Sequence, residues 1–259
     1  MIPVAIAGIV GLIFGSFLNV CILRLPVDES ILAPRSHCRN CLYPVRAIDN
    51  IPLLSWIFLR GRCRDCGVAI SWQYPLVEAT TGVLFIACIL HTGITWQSLL
   101  HAVAIFFLLG LAVMDARTFL LPDAFTLGGL GLAIALRTLQ PSASQRLRIA
   151  GHVVLDALIA AAALLLIRWL YRLLRKREGM GMGDVKLLAM IAAFLGLPLT
   201  MVAGFLAVLT GAGVSIIQVA KGRANTKSML PFGSFLAVAG IAVIFIGKPL
   251  LHWYLGFFR

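Results

Sequence analysis

The chain alternates between long apolar runs and shorter polar stretches. Ile2–Leu23 is 22 residues without a charge and stops at Arg24. Arg24–Tyr74 is a different material, with seven Arg, four acids and four Cys. Apolar runs then recur at Pro75–Thr92, Trp96–Met114, Leu121–Leu136, His152–Tyr171, Val185–Leu199, Thr200–Ala220 and Met229–Gly247. A helix crosses the bilayer hydrocarbon with about 20 residues. The pattern therefore predicts an all-α polytopic membrane protein of about eight transmembrane helices. It divides into a first span at residues 1–23, a polar module at 24–74 and a helical bundle at 75–259. Gly196 and Pro198 predict a tight turn between the sixth and seventh spans. No convincing internal repeat is visible.

Composition agrees with this pattern. Of 259 residues, 61% are apolar and 12% charged, and the mean hydropathy is +0.99. Soluble domains are about half apolar and one-quarter charged, so an ordinary soluble enzyme is excluded. The net charge of +12 would suggest nucleic acid in a soluble protein. Here the basic residues lie between apolar runs, where cytoplasmic loops collect Lys and Arg. No basic residue precedes Ile2–Leu23, which reads as an uncleaved span with its N-terminus outside. Arg24–Tyr74 then faces the cytoplasm, and Arg137, Arg146 and Arg148 run against the rule.

Cys38-Arg39-Asn40-Cys41 and Cys63-Arg64-Asp65-Cys66 are two CxxC pairs separated by 21 residues. Each pair can grip a metal from a tight knuckle, and two knuckles complete the tetrahedral four-thiolate set that suits Zn²⁺. Four protein ligands leave no open position, so such an ion is structural. Two disulfides or free thiols are the alternatives, and disulfides are rare in a reducing cytoplasm. His37, next to Cys38, could replace a Cys ligand.

Carboxylates in or beside transmembrane helices are costly, so each needs a reason. Asp115 ends the third span, Asp123 follows in Leu121-Pro122-Asp123, and Asp184 closes Gly181-Met182-Gly183-Asp184 before the sixth. All three fall at the cytoplasmic membrane edge. Two carboxylates held close together share a proton, one acting as base toward water and the other as acid, which is the chemistry of aspartyl peptide hydrolysis. Gly181 and Gly183 would allow close backbone approach and unusual dihedrals beside Asp184. Helix capping by Asp184 and charge balance of Asp115 by Arg117 are the structural alternatives. Asp123 suits a helix N-terminus or the docking of a basic substrate segment. Glu78, after Tyr74-Pro75-Leu76-Val77, could orient substrate or cap a helix. Lys186 is expected to snorkel to the membrane edge or to act through space on the acid pair.

Taken together, these residues resemble the type IV prepilin peptidases, bacterial leader peptidases of pilus and type II secretion systems. The resemblance runs from Gly15-Ser16-Phe17-Leu18-Asn19-Val20 and Arg24-Leu25-Pro26 through the double CxxC module. It continues through Asn50–Trp56, Arg60–Cys63, Tyr74–Glu78, Asp115 to Asp123, Gly181–Ala189 and Pro231-Phe232-Gly233. It implies that Asp115 and Asp184 are the catalytic aspartates of a GxGD-type membrane protease. It implies cleavage after Gly of the basic leader of type IV prepilins or pseudopilins, on the cytoplasmic face of a bacterial inner membrane. It also implies N-methylation of the new terminus from S-adenosylmethionine, whose binding residues no motif identifies, and no nucleic-acid partner. Arg39 and Ser234 stand where many relatives have Pro, and Ala192 where many have Gly. A proton-coupled transporter or a non-catalytic secretion scaffold is the competing class.

Overall fold

The computed structural model describes residues 2–140, 145–176, 180–222 and 230–256. Its helices are α1 (Ile2–Arg24), α2 (Leu54–Phe58), α3 (Gln73–Thr92), α4 (Trp96–Thr118), α5 (Asp123–Thr138), α6 (Arg146–Arg175), α7 (Met182–Leu195), α8 (Leu197–Ala220) and α9 (Phe232–Gly256). Eight of them occupy the apolar runs; α2 is a single short helix inside the polar module. The predicted start of the last run, Met229, lies outside the described residues.

Six of the eight, α1, α3, α4, α6, α8 and α9, are long and apolar enough to cross a bilayer. The other two, α5 and α7, have 16 and 14 residues. At 1.5 Å per residue, 14 residues rise only about 21 Å, less than a hydrocarbon core of about 30 Å. The chain break predicted near Gly196 falls there: Gly196 has φ +82, a conformation that glycine adopts without strain, and Pro198 stands in the first turn of α8.

Two compact units divide the chain, Met1–Phe106 and Phe107–Arg259. In the first, α1 packs along α3 at close range. A Cβ added at Gly11 would lie 2.8 Å from the Gly82 Cα, and one at Gly15 would lie 2.7 Å from the Glu78 Cα. Small residues let membrane helices approach until backbones touch, where packing rather than water exclusion holds them together. Phe14 and Phe17 of α1 close on Phe106, edge-on and stacked.

In the second unit α7 is the central element, with ten of its 14 residues buried, among them Met190, Ile191 and Phe194. Helices α5, α6, α8 and α9 all pack against it. Its last turn is tied down by Arg137 of α5, which donates to the Phe194 carbonyl over 3.1 Å. That bond accounts for one of the three arginines that ran against the charge rule. A short helix walled in on all sides holds its first turn, and therefore Asp184, in one place.

Candidate functional site

Asp115 sits in the last turn of α4 and is buried. The helix closes immediately after it: Phe119 adopts φ +55 and donates its N–H to the Asp115 carbonyl over 2.9 Å, a left-handed cap built without glycine. The side chain of Asp115 is held from α9. The backbone N–H of Ser234 donates to Oδ2 over 2.6 Å, and the Ser234 hydroxyl lies 3.0 Å from the same oxygen and 2.8 Å from the Ala112 carbonyl. That single hydroxyl hydrogen thus has two acceptors in reach.

Asp184 is the third residue of α7 and is also buried. Its Oδ2 reaches back to accept the N–H of Gly181 over 3.2 Å. This satisfies one amide at the helix start, as the N3 acid of a capping box does; glycine has no side chain to complete the reciprocal bond. The capping role considered for Asp184 is therefore real.

Leu121 and two glycines define the space between the acids. A Cβ on Gly183 would come within 2.8 Å of the Leu121 Cβ. One on Gly233 would come within 2.9 Å of the Leu121 Cδ1 and 3.1 Å of the Asp115 carboxyl. Three loops thus converge on Leu121: the end of α4, the start of α7 and the start of α9. Residues 69 apart in sequence are gathered at one spot because their neighbours lack side chains. The unusual dihedrals expected at Gly181 and Gly183 are not present. Gly181 is extended, with φ −73, and Gly183 is helical. The need for glycine at position 183 is steric: Leu121 fills the space that a side chain there would take.

Among the described residues no cation forms an ion pair with either acid, Arg117 included. Lys186 is instead paired with Asp123. The partner lies 63 residues away, and Asp123 is thereby matched by a cation of its own chain. Glu78 belongs to the first unit, where its Oε2 accepts the N–H of Leu53 over 2.8 Å. Sequence reasoning missed Gly233 and Ser234 as neighbours of Asp115. The signal was there, a Pro-Phe-Gly-Ser run opening the last helix, but it carries no titratable group.

The four cysteines come together. Their Sγ atoms all lie within 4.8 Å of one another, and Cys38 and Cys66 are 3.7 Å apart. Zn–S bonds of about 2.3 Å give tetrahedral S···S edges of about 3.8 Å, so the donor set fits zinc, whereas disulfide sulfurs would be bonded at about 2 Å. The two halves are copies of one another. The N–H of Cys38 bonds to the Tyr43 carbonyl and that of Leu42 to the Cys38 carbonyl. The N–H of Cys63 bonds to Val68 and that of Gly67 to Cys63 in the same way. Beyond them, Val45 to Ser36 matches Ile70 to Gly61. The structure thus contains a ten-residue backbone unit, 36–45, that recurs 25 residues on at 61–70.

Ion pairs of Arg64 with Asp49 and of Asp65 with Arg46 tie the second copy to the segment that follows the first. Four clustered thiols cannot ionise together unaided. The Val68 amide and the Asn40 side chain help to pull the Cys66 thiol down to about 6. The Tyr43 amide pulls on Cys41 too, but desolvation and the neighbouring sulfurs push that thiol up to about 12. A divalent cation removes that conflict. His37 is not in the cluster; its Nδ1 lies 3.1 Å from the Arg35 carbonyl.

Comparison with known proteins agrees across nearly the whole chain. Residues 9–92 match the bacterial peptidase A24 N-terminal domain and residues 102–216 match the type IV leader peptidase family. Proteins named prepilin leader peptidase/N-methyltransferase are similar throughout. The one from Aeromonas hydrophila is 35% identical over 94% of this chain and 91% of its own length. That from Burkholderia pseudomallei (strain 1026b) is 36% identical over 95% and 86%, and that from Dickeya chrysanthemi 38% identical over 90% and 88%. No solved structure matches significantly. With two buried aspartates around a glycine-walled leucine, a four-cysteine cluster and relatives of this similarity along both units, the chain belongs to the type IV leader peptidase family.

Proposed function

We propose that this multi-pass membrane protein is an aspartyl endopeptidase that removes the basic leader of type IV prepilins or pseudopilins after Gly, and that it N-methylates the new terminus. The carrying observation is the convergence of Asp115 and Asp184 on Leu121. The ionised carboxylate takes a proton from water, the water oxygen attacks the scissile carbonyl, and the protonated carboxyl donates to the developing oxyanion. The proton taken from water then passes to the amine nitrogen as the C–N bond breaks, and the collapsing diol returns a proton to the second carboxylate. Because one acid must be charged and the other neutral, the rate falls at both ends of the pH range, with limits that belong to the pair.

The bonds from Ser234 fix the orientation of Asp115, and the bond to Gly181 fixes that of Asp184. Cys38, Cys41, Cys63 and Cys66 would hold Zn²⁺, which supplies folding energy to a module with little core of its own. No group of the described residues identifies the S-adenosylmethionine site, and no step is assigned to it. The expected location is the bacterial inner membrane with the acids facing the cytoplasm.

The purified protein in detergent, given a prepilin, should shorten it at the Gly bond, and Asp115→Asn or Asp184→Asn should each leave no visible size shift over the time in which the parent completes it. A transporter or a scaffold predicts no shift in any of them.

A further inference from the structure

The short helix α2 presents an apolar face that no other described residue covers. Leu54, Ile57 and Phe58 are 51%, 61% and 80% exposed, at the i, i+3, i+4 spacing of one helical face. On the other side of the helix Ser55 is buried and bonded to the Ile51 N–H and the Ile48 carbonyl, so the outward face is fixed in direction.

Two ties set its level. Glu78, in the second turn of α3, accepts the N–H of Leu53 at the start of α2. Trp56 of α2 packs on Trp72, the residue preceding α3, with ring centroids 4.1 Å apart. Helix α3 is one of the six candidate bilayer-crossing helices. Glu78 lies five residues inside it, about 7.5 Å along its axis at 1.5 Å per residue. The start of α2 is therefore level with the second turn of a transmembrane helix. Trp72 and Leu76 at the head of that helix are exposed as well, and exposed Arg60 and Arg62 follow α2 in the chain.

We infer that α2 is a membrane-interface anchor: Leu54, Ile57 and Phe58 enter the headgroup–acyl boundary of the bilayer, with Arg60 and Arg62 at its phosphates. Apolar residues on one face, basic flanks and paired Trp rings suit that boundary. A free polar module would hang from α1 and α3 as a loop. This one is laid on the membrane at a fixed height, which sets the height of the cysteine cluster as well.

The test is photo-crosslinking in the full chain reconstituted in bilayers containing anionic phospholipid. p-Benzoylphenylalanine replaces Phe58 or, separately, Ile57, and a third version carries it at Leu209, an exposed position within α8, as the lipid-facing reference. Bound zinc in each preparation reports that the module is folded. Lipid adducts at 58 and 57 in yields comparable to 209 are expected. The inference is overturned if 209 yields adducts while 58 and 57 yield none. It is overturned equally if they crosslink to residues 107–259 or to an added prepilin in place of lipid. This readout does not depend on catalysis, so its failure is separable from failure of the peptidase assignment.

Discussion

The cysteine cluster and the aspartate pair assemble chemistry by opposite routes. Each knuckle of the cluster closes within six residues through its own backbone bonds, and the two need only be brought face to face. The aspartate pair has no local element. It exists because α4, α7 and α9 end or begin at the same leucine, with Gly183 and Gly233 cleared of side chains. The first design should tolerate changes elsewhere in the fold and fail when a sulfur is removed. The second should fail when packing far from any charge is altered.

The largest effects should separate the two sites. Asp115→Asn or Asp184→Asn should lower the cleavage rate by about 10²–10⁴-fold or more while leaving one zinc per chain by elemental analysis. Cys63→Ser should do the reverse first, losing the metal and with it the thermal transition of the polar module, because metal binding is part of its folding free energy. Loss of zinc in the Asn variants would couple two sites that belong to different compact units.

Next come the glycines. Gly183→Ala places a methyl 2.8 Å from the Leu121 Cβ. Overpacking of this kind costs about 1–3 kcal/mol, and here it acts on the position of Asp184, so kcat should fall about 10-fold or more. Adding Leu121→Ala to Gly183→Ala should restore part of the lost rate, which a general folding defect would not allow.

The smaller effects test what is incidental. Lys186→Met should change cleavage less than about twofold, since exposed ion pairs contribute about 0–1 kcal/mol; a large loss would return Lys186 to the catalytic site. Within the cluster, Leu42 holds φ +58 where its counterpart Gly67 holds φ +70. Left-handed backbone costs a side-chain-bearing residue about 1–2 kcal/mol. Leu42→Gly should therefore raise the unfolding temperature of the zinc-loaded module by a few degrees.

The same contrast explains what could be read from the chain beforehand. The apolar runs gave the helices, since length and hydropathy are local properties. The CxxC spacing gave the cluster, since its geometry is contained in each knuckle. The recurring ten-residue unit escaped because it resides in backbone bonds; Leu42 stands where Gly67 does and Tyr43 where Val68 does. Asp115 and Asp184 could be chosen as costly acids at one depth. The reason they meet could not, because it lies in the absent side chains of Gly183 and Gly233 and in the amide of Ser234, groups with no charge or hydropathy signal. The shortness of α5 and α7 was legible too: the runs Leu121–Leu136 and Val185–Leu199 hold 16 and 15 residues, fewer than the about 20 that a crossing takes.

The most direct test of a shared site is a double-mutant cycle on single-turnover cleavage, with Asp115→Asn, Asp184→Asn and the two combined. If the acids act as one couple, each single change removes the function of both, and the double variant is no slower than either single one. Losses that multiply, or a single variant that still cleaves at the parent rate, would contradict the account.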